Sequence, residues 1–269
     1  MALLELHDIV KSFQKNGKPV RVLDNVTVSV EEGKCLGLVG QSGCGKSTLA
    51  RIASRLTEAD GGKILFDGSD ITELKGNGLR PVYDGLQMIF QQPESSFNPR
   101  RLLGWSISEP LRRHGVSEDD CRERTAQLLR EVGLDTDYAE RYPHEVSGGE
   151  CQRAAIARAL ALNPKLLICD EITSALDVTI QREITALIRS LVEKGMTCIF
   201  ITHDLALLND VADSVAVMEK GKIVETGSTV DITLHPKSSA ARELLEAALF
   251  EEGFEGLKSS GTQKTHKNS

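Results

Sequence analysis

Alternation of apolar and polar side chains opens the chain. Residues 3–9 and 20–30 both alternate, and in the second stretch Val22, Val26, Val28 and Val30 share one face. That period of two predicts half-buried antiparallel strands, and Asn16-Gly17 supplies the turn between them. The pattern then changes. Cys35-Leu36-Gly37-Leu38-Val39 has no polar side chain, as expected of a strand covered on both faces. A glycine-rich loop follows, and then Leu49, Ile52, Ala53 and Leu56 recur at helical spacing. Lys63–Phe66 and Leu86–Phe90 read as further strands, with Asp67-Gly68 as a turn. Residues 102–135 carry helical periodicity through Leu102, Leu103 and Ile107, then Leu128, Leu129 and Val132. An Ala-rich helical run spans Gly148–Leu162. After Asn163-Pro164 come an apolar strand at 166–169, a helix at 178–194, a strand at Thr197–Ile201 and a short helix after His203. Two short strands, 214–218 and 222–225, are parted by Lys220-Gly221.

Buried strands alternating with helices predict an α/β domain on a mainly parallel sheet. The first strands form an N-terminal antiparallel β subdomain, and the helical stretch that interrupts the alternation is an inserted α-helical subdomain. The expected organisation is one domain over 1–250. Its core covers 1–92 and 161–235, its helical subdomain 93–160 and its C-terminal helix 236–250; the polar residues 251–269 form a disordered tail.

Composition narrows the function. A length of 269 residues, with 26% charged and 40% hydrophobic side chains, fits a globular protein and excludes wholesale disorder or a fibrous repeat. Aromatics are 4%, too few for a surface that stacks on single-stranded nucleic acid, and a net charge of −7 gives no global field for a polyanion. Nucleic acid is therefore not an expected partner. No stretch approaches the roughly 18 apolar residues of a membrane span. Glu5 and Asp8 stand where a signal peptide needs a basic and then apolar segment, so the expectation is a cytosolic chain whose membrane role requires a partner. Six cysteines at 35, 44, 121, 151, 169 and 198 form no CxxC pair, which argues against a zinc or disulfide framework.

Gly40-Gln41-Ser42-Gly43-Cys44-Gly45-Lys46-Ser47 fits G-x-x-x-x-G-K-[ST] and lies between a buried strand and a helix, the context that motif requires. Glycines let the backbone turn its N–H groups inward, and the helix N-terminus adds positive charge. Lys46 can reach the β- and γ-phosphates, and the Ser47 hydroxyl, followed by Thr48, can ligate Mg²⁺. The fold class expected is thus an α/β P-loop NTPase (RecA-like) core. Asp170 and Glu171 end the apolar run Leu166–Cys169, at the edge of a parallel sheet where ligands bind. Asp170 is suited to hold Mg²⁺ and Glu171 to polarise an attacking water. Cys44, at a helix N-terminus, is expected to have a lowered thiol pKa, so that alkylation blocks ATP binding and ATP protects.

Ser147-Gly148-Gly149-Glu150 precedes Cys151-Gln152-Arg153 and the Ala-rich helix. With the loop above, this resembles the ATP-binding subunits of ABC transporters, whose signature reads S-G-G-Q, and the resemblance runs over residues 3–250. It implies that Gln91 is the Q-loop glutamine, a Mg²⁺ ligand that also contacts the membrane subunit. It implies that Ser174-Ala175-Leu176-Asp177 is the D-loop, that His203 is the switch histidine on the γ-phosphate, and that Phe13 stacks on adenine. It implies further that Ser147 to Glu150 complete the opposing subunit's nucleotide pocket, so that two subunits sandwich two ATP molecules. Taken alone, Ser147–Gly149 reads as an ordinary helix N-cap and His203 as a structural strand-end histidine. Two positions depart from the family pattern. Ile172 replaces a frequent Pro, changing local stiffness only. Glu150 replaces Gln, and a carboxylate near phosphates weakens closure unless it faces away or is paired. The expected consequence is a somewhat weaker composite site.

Gln91-Gln92-Pro93-Glu94-Ser95-Ser96-Phe97-Asn98-Pro99-Arg100 resembles the peptide and nickel importer branch, as does Thr173–Gln181. That branch implies a second, non-identical ABC ATPase subunit, two membrane permease subunits, an extracytoplasmic solute-binding protein, and a peripheral place on the cytoplasmic face of the membrane. No Cys follows Cys198, which favours the nickel type, without a clustered-cysteine extension, over the peptide type. The competing readings are a soluble ABC-type ATPase acting as a clamp in DNA repair or translation, and a P-loop kinase, in which the signature and His203 would have no purpose.

Overall fold

In the computed structural model, which describes residues 1–248, two sheets share the chain. The first is four-stranded and antiparallel in the order β2-β1-β4-β5, built from β1 (Ala2–Lys15), β2 (Lys18–Glu31), β4 (Gly61–Phe66) and β5 (Ser69–Asp70). Asn16 and Gly17 turn β1 into β2 with φ of 52° and 74°, the left-handed pair that a two-residue hairpin needs. Both strands are longer than the alternation predicts. The outer parts of β1 and β2, from Lys11 to Arg21, pair only with each other and stay largely exposed, so no buried face imprints a pattern there.

The second sheet has six strands in the order β10-β9-β3-β8-β7-β6: β3 (Cys35–Val39), β6 (Leu86–Ile89), β7 (Leu166–Asp170), β8 (Thr197–Thr202), β9 (Ser214–Glu219) and β10 (Lys222–Ser228). Every pair is parallel except β9 with β10. Alternate residues of the central strands serve two separate cores. Leu36, Leu38, Leu166, Ile168, Ile199 and Ile201 face the antiparallel sheet and α1 (Lys46–Ala53). Cys35, Val39, Leu167, Cys169, Cys198 and Phe200 face the helices on the other side. This two-sided burial is why the strands read as unbroken apolar runs.

Between β6 and β7 lie α3 (Leu103–Arg113), α4 (Glu118–Glu131) and α5 (Gly148–Ala159); α2 (Arg80–Gly85) precedes β6. The single periodic stretch over 102–135 is two helices. Gly115, at φ 76°, ends the first, and the Ser117 hydroxyl caps the second by accepting from the Asp120 N–H at 3.2 Å. After β7 come α6 (Val178–Glu193), α7 (Leu205–Val211) and α8 (Thr229–Leu234), then α9, from 239 to the last described residue, 248. The tail predicted over 251–269 lies outside the described residues. No described helix is long and apolar enough to cross a membrane.

Candidate functional site

Parallel pairing sets Val39 beside Thr202, and Asp170 beside Ile201. The C-terminal ends of β3, β7 and β8 therefore share one edge, and the loops that leave it carry most of the chemistry. From β3 the chain enters the phosphate loop. Gly43 and Gly45 take φ of 80° and 113°, closed to most side chains, and Gly45 is the N-cap of α1. At Gly40 a Cβ would sit 2.2 Å from the Met218 carbonyl oxygen and 2.8 Å from Cys44 Sγ, so this position admits only glycine. The loop is latched from outside. The Gly221 N–H, in the β9–β10 turn, donates to the Cys44 carbonyl at 3.0 Å.

Lys46 is 4% exposed. Its ammonium donates to the carbonyls of Gly40, at 2.7 Å, and Gln41, at 3.2 Å, and lies 3.6 Å from Glu171 Oε1. Ser47 Oγ donates to Asp170 Oδ1 at 2.9 Å. Two residues 123 apart in sequence thus meet as one oxygen pair. Burial pushes the Asp170 carboxyl above its ordinary value; the Ser47 hydroxyl pulls it down, and the charge of Glu171 pushes it further up. A buried carboxylate beside a hydroxyl is hard-oxygen chemistry, and it fits Mg²⁺. Among the described residues no cluster of three or more His, Cys, Asp or Glu is placed to hold a metal.

Glu171 takes φ 50°, a left-handed conformation uncommon for a side chain with a Cβ, while its N–H donates to the Ile201 carbonyl at 3.0 Å. The turn sets the carboxylate beside Lys46. Gln91, just past β6, donates through Nε2 to Ser174 Oγ at 3.1 Å, and Ser174 Oγ donates to the Glu171 carbonyl at 3.0 Å. Ser174 thus joins Gln91 to the backbone of Glu171; sequence reasoning placed it in a motif without a role of its own. No hydrogen bond joins Gln91 to Ser47 or Asp170. His203 is exposed beyond β8 and, with Thr173, Ser174, Val178 and Thr202, lines a cavity of about 230 Å³.

The remaining site residues stand apart from this edge. Phe13 is 44% exposed on β1, opposite Val20, with the Lys11 ammonium 5.4 Å from its ring centroid. Val22 and Leu23, further along the same ribbon, pack on Gly45. Asp177 is the N-cap of α6, and its Oδ1 accepts from the Ile180 N–H at 3.0 Å. Ser147 is exposed at the N-cap of α5, and none of its hydrogen bonds reaches residues 40–48. A Cβ on Gly149 would lie 2.7 Å from Ile180 Cγ2, so glycine lets α5 approach the start of α6. Glu150 is paired. Its Oε2 accepts from Ser147 N–H at 2.7 Å and Ser147 Oγ at 2.8 Å, and its Oε1 accepts from the Tyr138 hydroxyl. The condition under which a carboxylate there need not weaken closure is met, which removes the ground for a weakened composite site.

Cys44 departs from expectation. Its side chain is buried, and desolvation pushes the thiol pKa up; Lys46 and nearby backbone N–H groups pull it down but lose to burial. Maleimide labelling of Cys44 at pH 7 is therefore expected to run slower than that of a free cysteine and to speed up as pH rises. Labelling as fast as a free thiol at pH 7 would contradict this.

Residues 23–174 match the ABC transporter family. The oligopeptide transport ATP-binding protein OppF of Salmonella typhimurium is 43% identical over 254 residues, 92% of this chain and 76% of that protein. AppF of Bacillus subtilis, also an oligopeptide transport ATP-binding protein, is 44% identical over 251 residues, covering 88% of this chain and 76% of its own length. The glutathione import ATP-binding protein GsiA of Pectobacterium atrosepticum is 45% identical over 232 residues; the match takes in 86% of this chain and only 37% of that longer protein. Among solved structures, a dimeric bacterial ABC transporter cassette superposes with a TM-score of 0.78 at 27% identity, over 84% of this chain and 98% of that one. Another dimeric cassette structure, a post-hydrolysis state bound to ADP and Pi, gives 0.77 at 27% identity, with the same coverage of 84% and 98%. A nucleotide cradle on β3, an acidic pair on β7, a serine–glycine helix cap and this fold converge on one assignment: the chain belongs to the ABC transporter family, as an ABC-type ATPase.

Proposed function

We propose that this chain is the ATP-hydrolysing subunit of an importer whose cargo is a peptide or a peptide-like small molecule. The observation that carries the chemistry is the meeting of Ser47 Oγ and Asp170 at 2.9 Å beside the Lys46–Glu171 pair at 3.6 Å. In this reading the backbone of Gly40 to Gly45, with Lys46, Ser47 and Thr48, holds the triphosphate, and Phe13 stacks on the adenine. Ser47, Asp170 and Gln91 would hold Mg²⁺, which would supply charge neutralisation to the phosphates. Glu171 orients and polarises the attacking water, and His203 contacts the γ-phosphate. The cap at Ser147 to Gly149, exposed at Ser147, binds the nucleotide held by the opposing ATPase subunit, with Asp177 fixing the start of α6 beside it. The organisation that goes with this is a core over 1–92 and 161–235 and a helical subdomain over 93–160.

The names carried by OppF, AppF and GsiA support peptide-like cargo over nickel, whose only argument was the missing cysteine cluster. The partners of this reading are a second ATPase subunit, two membrane permease subunits and a solute-binding protein. The subunit then sits on the cytoplasmic face of the membrane through the permeases. The test is ATP hydrolysis by the transporter reconstituted in vesicles. A binding protein loaded with a short peptide is expected to stimulate turnover several-fold and to drive peptide uptake. Stimulation by nickel-loaded binding protein and not by peptide would reverse the cargo assignment.

A further inference from the structure

Glu150 places a negative charge in the first turn of α5, on the cap that the preceding reading assigns to a partner's triphosphate. An acid there would repel the anion that the cap has to receive. Three donors converge on it. Oε2 takes the N–H and the hydroxyl of Ser147, at 2.7 and 2.8 Å, and closes a capping box with the Glu150 N–H donating back to Ser147 Oγ at 3.3 Å. Oε1 takes the hydroxyl of Tyr138, which lies in the turn Thr136–Glu140 ahead of the signature. Tyr138 is itself fixed, because the Arg141 guanidinium lies 3.9 Å from its ring centroid and is tied to Asp137 Oδ2 at 2.6 Å. The electrostatics follow the geometry. The Tyr138 hydroxyl first, and then the Ser147 donors, hold the Glu150 carboxyl below its usual range, and the same bond pushes the Tyr138 phenol up. The carboxylate is thus ionised and matched to donors on its own chain.

We propose that Tyr138 is a positioning residue for the signature cap: it holds the Glu150 carboxylate back against its own helix, so that the acid can stand where the family carries glutamine. What is specific to an acid is the charge and the direction of the bond: a glutamine at 150 turns an amide N–H toward Tyr138, which can only donate to the phenol oxygen and leaves no charge to hold back. Without that hydroxyl, Oε1 loses its charge-assisted bond and turns an unneutralised charge toward incoming phosphate, while Oε2 stays on Ser147. Tyr138 does not touch nucleotide; it acts through Glu150.

The experiment measures KM for ATP and kcat of the assembled transporter in four forms: unaltered, Tyr138→Phe, Glu150→Gln and the double variant. Tyr138→Phe keeps the ring under Arg141. It is expected to raise KM about fivefold, with kcat changed less than about twofold, since the cap contributes binding and the opposing cradle holds the reacting groups. In the Glu150→Gln background, Tyr138→Phe is expected to change KM by less than about twofold, because the charge it controls is gone. An equal rise in both backgrounds, the mark of a packing role, overturns the proposal, and so does no rise in either. The inference rests on the cap acting in trans, and that is read separately. Ser147→Cys should crosslink, with ATP present, to a cysteine placed in the opposing subunit's phosphate loop. A crosslink with flat Tyr138 kinetics sinks the positioning role alone; no crosslink sinks the trans reading.

Discussion

Glu171→Gln should lower steady-state ATP turnover by about 100- to 1,000-fold while leaving nucleotide binding intact, so that an ATP-bound dimer accumulates. The substitution keeps the shape of a side chain held by an unusual backbone. Glu171 sits at φ 50°, its N–H on the Ile201 carbonyl at 3.0 Å, and none of those backbone contacts depends on charge. What goes is the negative oxygen that can polarise water. Binding is retained because the groups proposed to hold phosphate remain, and because one source of repulsion on Asp170 disappears. Lys46, relieved of its 3.6 Å partner, keeps its full charge for the nucleotide. Sedimentation of the assembled ATPase pair with ATP, set beside phosphate release, reads both halves of the expectation. Turnover within a few-fold of the unaltered protein would remove Glu171 from its proposed role.

The chemistry was legible in the sequence wherever it is contiguous along the chain. Gly40–Ser47 and Asp170-Glu171 each follow an apolar run, and a parallel sheet necessarily gathers the ends of such runs at one edge. Even the 123-residue separation of Ser47 and Asp170 closes on that rule alone. Features that depend on what covers a residue were not legible. Cys44 sits at a helix start, which argues for a reactive thiol, but burial outweighs the helix and Lys46. The covering comes in part from the Met218 and Gly221 region, far along the chain. The short helix α2 went without a prediction: Pro81 in its first turn suits a helix start, but six residues with Val82 alone buried carry no period to read. The Tyr138–Glu150 contact was hidden for another reason. It joins an irregular turn to a helix cap, and no periodicity links the two. Ser174 was visible as part of a motif, but its place between Gln91 and Glu171 needs three loops at once.

Lys46→Ala is expected to cost ATP affinity about 100- to 1,000-fold, far more than it costs the fold. The reason lies in where the ammonium is. It is almost fully buried, donates to the carbonyls of Gly40 and Gln41 at 2.7 and 3.2 Å, and faces Glu171. Truncation leaves those carbonyls short of a donor, a loss of about 1–2 kcal/mol, because Gln41 to Gly43 are exposed and water can replace the donor on Gln41, whereas the Gly40 carbonyl is buried. In the proposed reading the same group makes charge-assisted contacts with two phosphates, worth about 3–4 kcal/mol together, and 1.4 kcal/mol is a factor of ten. The separation of the two effects is the test. Nucleotide titration should fail at concentrations that saturate the unaltered protein, while thermal unfolding without nucleotide moves only a few degrees. Lys46→Arg should fail nearly as badly, although it keeps the charge, because a planar guanidinium does not fit between carbonyls spaced for an ammonium. Binding by Lys46→Ala within threefold of the unaltered protein would mean that the loop holds phosphate through its backbone alone, and the place of Lys46 in the site would have to be given up; the same result for Lys46→Arg alone would mean that charge, and not the ammonium's shape, is what the site needs.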